Sequence, residues 1–121
     1  MVVLAEGSGL TGGDSSVDET LAALAEPTRR AVVDLLTKRP WRSSELAEAL
    51  SLSRPAMSRH LRVLRRAGVV SETSLEDDAR AKVYRLRVES LSGLRKWLDE
   101  VEAFWGDQLA SFVEHAERGS R

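Results

Sequence analysis

Three arginines share one face of a helix that the sequence predicts over residues 54–66, and no acidic residue lies among them. At about 100° per residue, Arg59, Arg62 and Arg66 fall on the same side of this helix. A guanidinium group can bind guanine O6 and N7 through two hydrogen bonds, and it also pairs with phosphates. The face therefore predicts contact with nucleic acid. The alternative is a solvated face that uses arginine only for solubility.

Polar residues near the start of the same helix extend this face. Ser58 can donate a hydrogen bond to a base or a phosphate, and the free N–H groups of a first helical turn suit an anion. We expect Ser53 to cap the helix and Gly68 to end it in a left-handed conformation. The residues predicted to contact DNA are Ser44, Ser53, Arg54, Pro55, Ser58, Arg59, Arg62, Arg66 and Arg80.

The middle of the chain is basic and its ends are acidic. Residues 27–66 hold ten basic and three acidic side chains, which gives this segment a net charge of +7. Because the whole chain of 121 residues carries −1, the remainder carries −8. A basic segment of this kind fits a phosphate backbone, although charge asymmetry alone is equally consistent with an ordinary solvated surface.

The spacing of apolar residues predicts the elements that hold this face in place. A first short helix covers residues 17–25, and a second begins at Pro27, where a proline loses no hydrogen bond, and stops before Pro40. A third covers residues 45–50 and is capped by Ser43 or Ser44. After a tight turn, the fourth helix follows, with Met57, Leu61 and Leu64 on its buried side.

Residues 69–73 and 81–88 alternate in polarity like strands and form a hairpin around an acidic loop. A long last helix runs from Ser90 to about residue 117. This order predicts a mainly α fold with a small β-hairpin, a winged helix-turn-helix. We expect residues 1–16, rich in glycine and serine, to be a disordered tail, and residues 17–118 to form one DNA-binding domain that includes a dimerisation helix over 90–118.

Large apolar residues repeat at three- and four-residue steps along the last helix. The stripe is too long for a compact three-helix core to cover, so it predicts a surface for a second copy of the chain. Two alternatives are a stripe that folds back on a monomer and a ligand pocket at the seam between two copies. The predicted interface residues are Leu21, Leu24, Trp97, Val101, Phe104, Trp105, Leu109 and Phe112.

Three further basic residues each have two interpretations. His60 contacts a phosphate or, as we favour, lies at the edge of the core bonded to backbone. In the hairpin, Arg80 and Lys82 could reach flanking DNA, but the acidic residues 76–78 oppose it. We therefore expect a weak contact there, made mainly by Arg80.

The sequence resembles the ArsR-type (ArsR/SmtB-type) family of winged-helix repressors. The resemblance covers about residues 20–115, and residues 53–64, Ser-Arg-Pro-Ala-Met-Ser-Arg-His-Leu-Arg-Val-Leu, carry most of it. Residues 24–30 (Leu-Ala-Glu-Pro-Thr-Arg-Arg), 44–47 (Ser-Glu-Leu-Ala), 67–70 (Ala-Gly-Val-Val) and 82–86 (Lys-Val-Tyr-Arg-Leu) support it.

The resemblance implies a homodimer that binds double-stranded DNA near promoters, usually represses, and is often released by a small-molecule effector. Metal-sensing members carry cysteines in the third helix, where this chain has Ser43 and Ser44. Others bind zinc between carboxylates and histidines of the last helices, where this chain offers His115 among Asp107, Glu114 and Glu117. We therefore expect the non-metal branch, with no metal or cofactor and an unknown effector, if there is one.

Other classes of protein fit less well. The chain has no cysteine, no glycine-rich phosphate loop and no carboxylate pair in a plausible pocket, so we do not expect an enzyme. It has no signal peptide and no apolar run long enough to cross a membrane, which predicts a cytoplasmic protein without a membrane partner. The remaining alternative is a winged-helix module that binds proteins and not DNA.

Overall fold

The computed structural model describes residues 7–75 and 78–119, and the side chains within them at residues 16–74 and 81–119. The chain alternates short helices with a small sheet and ends in a long helix. In order, the elements are α1 (Gly7–Leu24), α2 (Pro27–Leu36), β1 (Trp41–Arg42), α3 (Ser43–Ala49), α4 (Arg54–Arg66), β2 (Val70–Leu75), β3 (Asp78–Leu86), a 3-10 turn (Val88–Leu91) and α5 (Ser92–Gly119).

The ends of helices α2 and α4 follow from local chemistry. The Glu26 carboxylate accepts the backbone N–H groups of Thr28 and Arg29, which would otherwise lack a partner in the first turn of α2. In α4, the Ser53 hydroxyl accepts the N–H of Ala56 at 3.2 Å. Gly68 lies at φ +78°, the left-handed conformation that ends a helix. The predicted cap and stop of this helix are confirmed.

The predicted starts of α1 and α3 are wrong. Helix α1 begins at Gly7 and not at Val17, so residues 7–16 are helical where we predicted an irregular tail; residues 1–6 lie outside the described residues. Once packing holds the later turns in a helix, further turns need no new nucleus, so the glycines only weaken them. Helix α3 begins at Ser43, and its start is stabilised by the Glu45 carboxylate, which accepts the Arg42 N–H at 2.9 Å, and not by a serine cap.

The sheet has one strand more than the predicted hairpin. Strand β1 pairs antiparallel with β3, with Trp41 opposite Tyr84, so the strand order is β1-β3-β2. A two-residue strand has too few positions for a detectable alternation of polarity, which is why the sequence did not reveal it. The indole N–H of Trp41 donates to the Leu35 carbonyl at 3.0 Å and so fastens the sheet to α2.

The core lies between α2, α3, α4 and the first residues of the sheet. The predicted buried side of α4 is confirmed, since Met57, Leu61 and Leu64 are almost fully buried. Val32 of α2 and Leu46 of α3 are buried against the same cluster. These contacts fix the rotation of α4 about its own axis.

The last helix is less well covered. It begins at Ser92 and not at Ser90, because residues 88–91 form the 3-10 turn, where the Ser90 hydroxyl donates to the Arg87 carbonyl at 2.6 Å. No residue of α5 is buried, although the helix packs against α1. Within the described residues, the structure contains no helix both long and apolar enough to span a bilayer.

Truncation of the core side of α4 should destabilise the whole domain. Leu64 has no exposed surface, so Leu64→Ala should lower the free energy of unfolding by about 2–5 kcal/mol. The neighbouring Val63 is 39% exposed, so Val63→Ala is the matched control and should lower it by less than about 1 kcal/mol. Urea unfolding followed by circular dichroism measures both, and equal losses would contradict this account of the core.

Candidate nucleic-acid interface

The outward face of α4 carries the predicted arginines. Arg59, Arg62 and Arg66 are all exposed, as are Pro55 and Ser58. Within the described part of the chain, none of the three guanidinium groups forms an ion pair or a hydrogen bond. Their donors are therefore free for an anionic partner, and the exposure predicted for this face is confirmed. Their contact with DNA stays a prediction.

The turn between α3 and α4 sets the position of this face. Ser51 has a positive φ of 55°, and the Leu52 N–H donates to the Ala47 carbonyl at 2.9 Å. Leu50 and Leu52 pack against the core from either side of Ser51. The turn thus reverses the chain over a few residues and presents the N-terminus of α4 at the surface, the arrangement of a helix-turn-helix.

A basic groove adjoins the N-terminus of α4. It holds about 420 Å³, and Arg42, Arg54 and Lys82 line it from three different elements. The hydroxyl residues Ser43, Ser44 and Ser58 and the small side chain of Ala81 complete the lining, and none of the described residues that line it is acidic. Three cations with hydroxyl donors at one groove suit a phosphate group, which accepts several charge-assisted hydrogen bonds.

The groove brings together residues that the sequence placed apart. Ser44, Arg54 and Ser58 were predicted contacts, and the structure places all three on this groove. The sequence did not predict that Arg42 and Ser43 line the same groove. The sequence places Arg42 directly before a short helix, which was the one indication of its position. Arg42 reaches the groove, however, because strand β1 pairs with β3, and the sequence did not reveal that pairing.

A carboxylate ties the hairpin to α4. The Tyr84 hydroxyl donates to Glu72 Oε2 at 2.6 Å, while Arg65 of α4 and Lys82 of β3 each place a nitrogen 3.6 Å from Glu72 Oε1. The hydrogen bond from Tyr84, followed by the charges of Lys82 and Arg65, outweighs partial burial and holds the pKa of Glu72 below its ordinary value. Burial and the Glu72 charge raise the pKa of Tyr84.

His60 lies at the edge of the core, as predicted, but its partners are side chains and not backbone groups. Its Nδ1 atom is 3.2 Å from Arg29 Nη1, and its Nε2 atom is 3.9 Å from Glu26 Oε2. Arg29 in turn donates to the Ala23 carbonyl at 2.6 Å. The cluster therefore joins α4 to the junction of α1 and α2. Burial acts to raise the pKa of Glu26, but N–H donors of Arg29 and Thr28 and the nearby charges hold it below its ordinary value.

The tip of the hairpin lies outside what the structure describes. Residues 76 and 77 and the side chain of Arg80 are not among the described parts, so the expected weak wing contact stays a prediction. Lys82 is described, and its pairing with Glu72 turns part of its charge toward the sheet.

Six of the eight predicted interface residues are exposed, and the other two, Leu24 and Val101, are half-buried. Phe112 is 69% exposed and Trp105 60%, and Leu21, Trp97, Phe104 and Leu109 are also exposed, while Val101 is half-buried. Leu24, by contrast, packs against the hydrophobic core of its own domain. Among the described residues, no three histidine, aspartate or glutamate side chains are grouped as a metal site.

Comparisons with known proteins find similarity to helix-turn-helix transcriptional regulators. The helix-turn-helix domain family matches residues 24–73. The HTH-type transcriptional regulator Rv2034 of Mycobacterium tuberculosis is 38% identical over 99 residues, which is 82% of this chain and 87% of that protein. The transcriptional repressor SdpR of Bacillus subtilis is 34% identical over 56 residues, 46% of this chain and 62% of that protein. An ArsR-like transcriptional regulator from Rhodococcus sp. RHA1 has a similar structure, with a TM-score of 0.71 and 28% identity over 84% of this chain and 92% of that one.

Removal of the Glu72 charge should destabilise the fold in a pH-dependent way. Because the folded pKa of Glu72 is depressed, its carboxylate contributes stability above the unfolded pKa, and this contribution is lost as the pH falls through the folded pKa. Glu72→Gln should therefore lower the free energy of unfolding by about 1 kcal/mol at pH 7 and by progressively less below about pH 4. Urea unfolding at several pH values measures this difference.

Glu48→Gln provides the control, because Glu48 is exposed on α3 and has no recorded side-chain partner among the described residues. It should leave stability unchanged at each pH. A Glu72→Gln deficit that stays constant down to pH 3 would show that the amide, and not the lost charge, is responsible.

Proposed function

The chain belongs to the ArsR-type family of transcriptional regulators and binds DNA as they do, and from this premise we propose that it acts as a homodimeric repressor that reads an inverted-repeat operator. The single observation that carries the DNA-reading part is the outward face of α4, where three exposed arginines have no ion pair or hydrogen bond with a described residue and the helix itself contains no acidic residue. The proposal assigns a separate task to each part of this interface.

Helix α4 enters the major groove and reads base edges in this proposal. The diameter of an α-helix with its side chains, about 10–12 Å, matches a major groove about 12 Å wide, and the N-terminal end of α4 leads. Arg59 and Arg62 are the base readers, because they lie closer to the leading N-terminal end of α4 than Arg66 does. Arg66, one turn further, is better placed for the backbone.

The basic groove takes up a backbone phosphate. Arg42, Arg54 and Lys82 surround it, and Ser44 adds a hydroxyl donor. Phosphate contacts set the register and orientation of a protein on the duplex but carry no sequence information. Specificity and affinity thus reside in different residues, which makes the two roles separable by mutation.

The apolar stripe of α5 forms the dimer interface in this proposal. A monomer would leave Phe104, Trp105, Leu109 and Phe112 more than half exposed on one helix. Isolated exposed apolar residues are normal, but a contiguous aromatic patch marks an interaction surface. A two-fold dimer would present two α4 helices about 34 Å apart, one turn of duplex, and so favours an inverted repeat.

Repression follows most simply from occlusion of a promoter. The Bacillus subtilis relative is named a transcriptional repressor. We propose no enzymatic activity, in keeping with relatives that are named regulators. The protein acts in the compartment that holds the chromosome.

Mutations in the two parts of the interface should have different effects on DNA binding. The first step is to select preferred sequences from a random duplex library with the wild-type protein. Arg59→Ala with Arg62→Ala should then lower affinity for the selected duplex by roughly tenfold or more and leave binding to unrelated duplex less affected. Arg42→Ala with Arg54→Ala should weaken both duplexes equally and reduce the salt dependence by about one phosphate contact for each lost charge.

Fluorescence anisotropy at several salt concentrations measures these affinities. Lys96→Ala is the matched control, because it removes an exposed cation from α5, and it should leave both affinities unchanged. If selection yields no preferred sequence, or if the Arg59/Arg62 variant still discriminates between the duplexes, the assignment of α4 as the reading element is wrong. The first result would favour a module that binds proteins.

The α5 stripe should control the oligomeric state. Trp105→Ser with Phe112→Ser should convert a dimer to a monomer, because it removes two of the most exposed aromatic side chains. Sedimentation velocity measures the mass, and circular dichroism checks that helix content is retained. Lys96→Ser, on the opposite side of α5, is the control and should stay dimeric. A wild-type protein that sediments as a monomer at high concentration would refute the homodimer.

A further inference from the structure

A second groove lies where the sheet passes into the last helix. It shares no residue with the basic groove beside α4. The end of α2, the end of β3 and the 3-10 turn line it, and it holds about 560 Å³. Sites for small molecules hold roughly 300–1,000 Å³, so the groove is large enough for one.

The floor of this groove is apolar. Leu36 is buried beneath it, Leu86 and Leu91 are half-buried, and Val88 is 67% exposed. Outside helices α1 and α5, Val88 and Val63 are the large apolar side chains that the described residues leave exposed. Contact with an apolar ligand would remove this surface from water, which stabilises a complex by about 25 cal/mol for each Å².

The rim of the groove is positive. Lys38 and Arg85 are exposed on it, and neither has a recorded ion pair or side-chain hydrogen bond with a described residue. The third cation, Arg39, is engaged elsewhere, since its guanidinium lies 3.7 Å from the centre of the Trp41 ring and 3.5 Å from Glu45. None of the described lining residues is acidic. The free charges therefore complement an anion.

From this combination we infer that the groove binds a small amphipathic carboxylate. Its alkyl or aryl part lies on Val88 and Leu91, and its carboxylate pairs with Lys38 and Arg85. An anion without an apolar part would leave the floor uncovered, and an apolar ligand without a charge would leave the two cations unpaired. The inference about binding does not depend on DNA.

The position of the groove gives such a ligand a route to regulation. Arg85 and Leu86 belong to the strand that forms the wing, and Val88 and Leu91 belong to the turn that leads into α5. A ligand across them biases how the sheet is held relative to the last helix. If DNA binding requires one such arrangement, ligand and DNA change each other's affinity by the same factor. This second step rests on the proposed function.

Octanoate is a suitable probe, used below the concentration at which it forms micelles. Isothermal titration should give saturable binding to the wild-type protein, weaker binding of octan-1-ol and little binding of butyrate. Lys38→Ala with Arg85→Ala should weaken octanoate binding at least about fivefold, because two charge partners are lost. Val88→Asp should weaken octanoate binding to a similar extent, because it replaces an apolar side chain of the groove floor with a carboxylate that repels the ligand. Since all three side chains are exposed, these variants should fold normally.

Lys96→Ala is the control and should leave octanoate binding unchanged. The inference is overturned if octanoate does not bind, if octan-1-ol binds as tightly, or if neither groove variant weakens binding. It is also overturned if Val88→Asp changes the oligomeric mass, because the groove would then be covered by a second copy of the chain.

A separate anisotropy experiment with the selected duplex tests the regulatory step. Octanoate should shift DNA affinity for the wild-type protein and not for the Lys38/Arg85 variant. Octanoate binding without any effect on DNA affinity would overturn the coupling and leave the binding site in place. A failure to bind DNA at all would count against the proposed function, while the titration result would still stand.

Discussion

Burial of one side of helix α4 is the interaction on which the candidate interface depends. Met57, Leu61 and Leu64 are almost fully buried, and a helix with one buried side has its opposite side fixed as well. The arginines are therefore held outward without any ion pair or hydrogen bond to the described part of the chain. This arrangement leaves their hydrogen-bond donors unused in the free protein, so that a partner does not have to displace an existing ion pair. Stability and recognition are assigned to different sides of the same 13 residues.

Polar contacts then limit how α4 can move relative to its neighbours. Glu72 connects it to the hairpin through Arg65, and His60 connects it to the start of α2 through Arg29. The two clusters lie on different residues of α4 and use none of its unpaired arginines. Because Glu72 also pairs with Lys82, one carboxylate offsets part of the positive charge between the basic groove and the wing. That offset is consistent with the proposal that the groove contacts phosphate more strongly than the hairpin does.

Much of this architecture was predictable, and the misses have physical causes. The caps at Ser53 and Gly68 and the buried side of α4 depend on local chemistry and on a 3.6-residue period, and both are visible in a sequence. Strand β1 is only two residues long and exists through its pairing with β3, a contact between distant parts of the chain. The start of α1 depends on a helix already held in place by packing, which overrides the low helix propensity of glycine. The partners of His60 and the two grooves are likewise products of tertiary contact.

The distribution of apolar side chains leaves exposed apolar surface on which a partner can bind. The buried core is formed by residues of α1 to α4 and of the sheet, and α5 contributes no buried residue to it. A helix of 28 residues, roughly 42 Å long, that is not needed for the core is free to carry a different function along its aromatic stripe. Because α5 lies outside the core, the 3-10 turn that joins the sheet to α5 is also partly exposed. Val88 of this turn is exposed at the point where the wing and the last helix meet. A change at that turn reaches both elements at once, whereas a change inside the core would first have to disrupt the packing that holds α4.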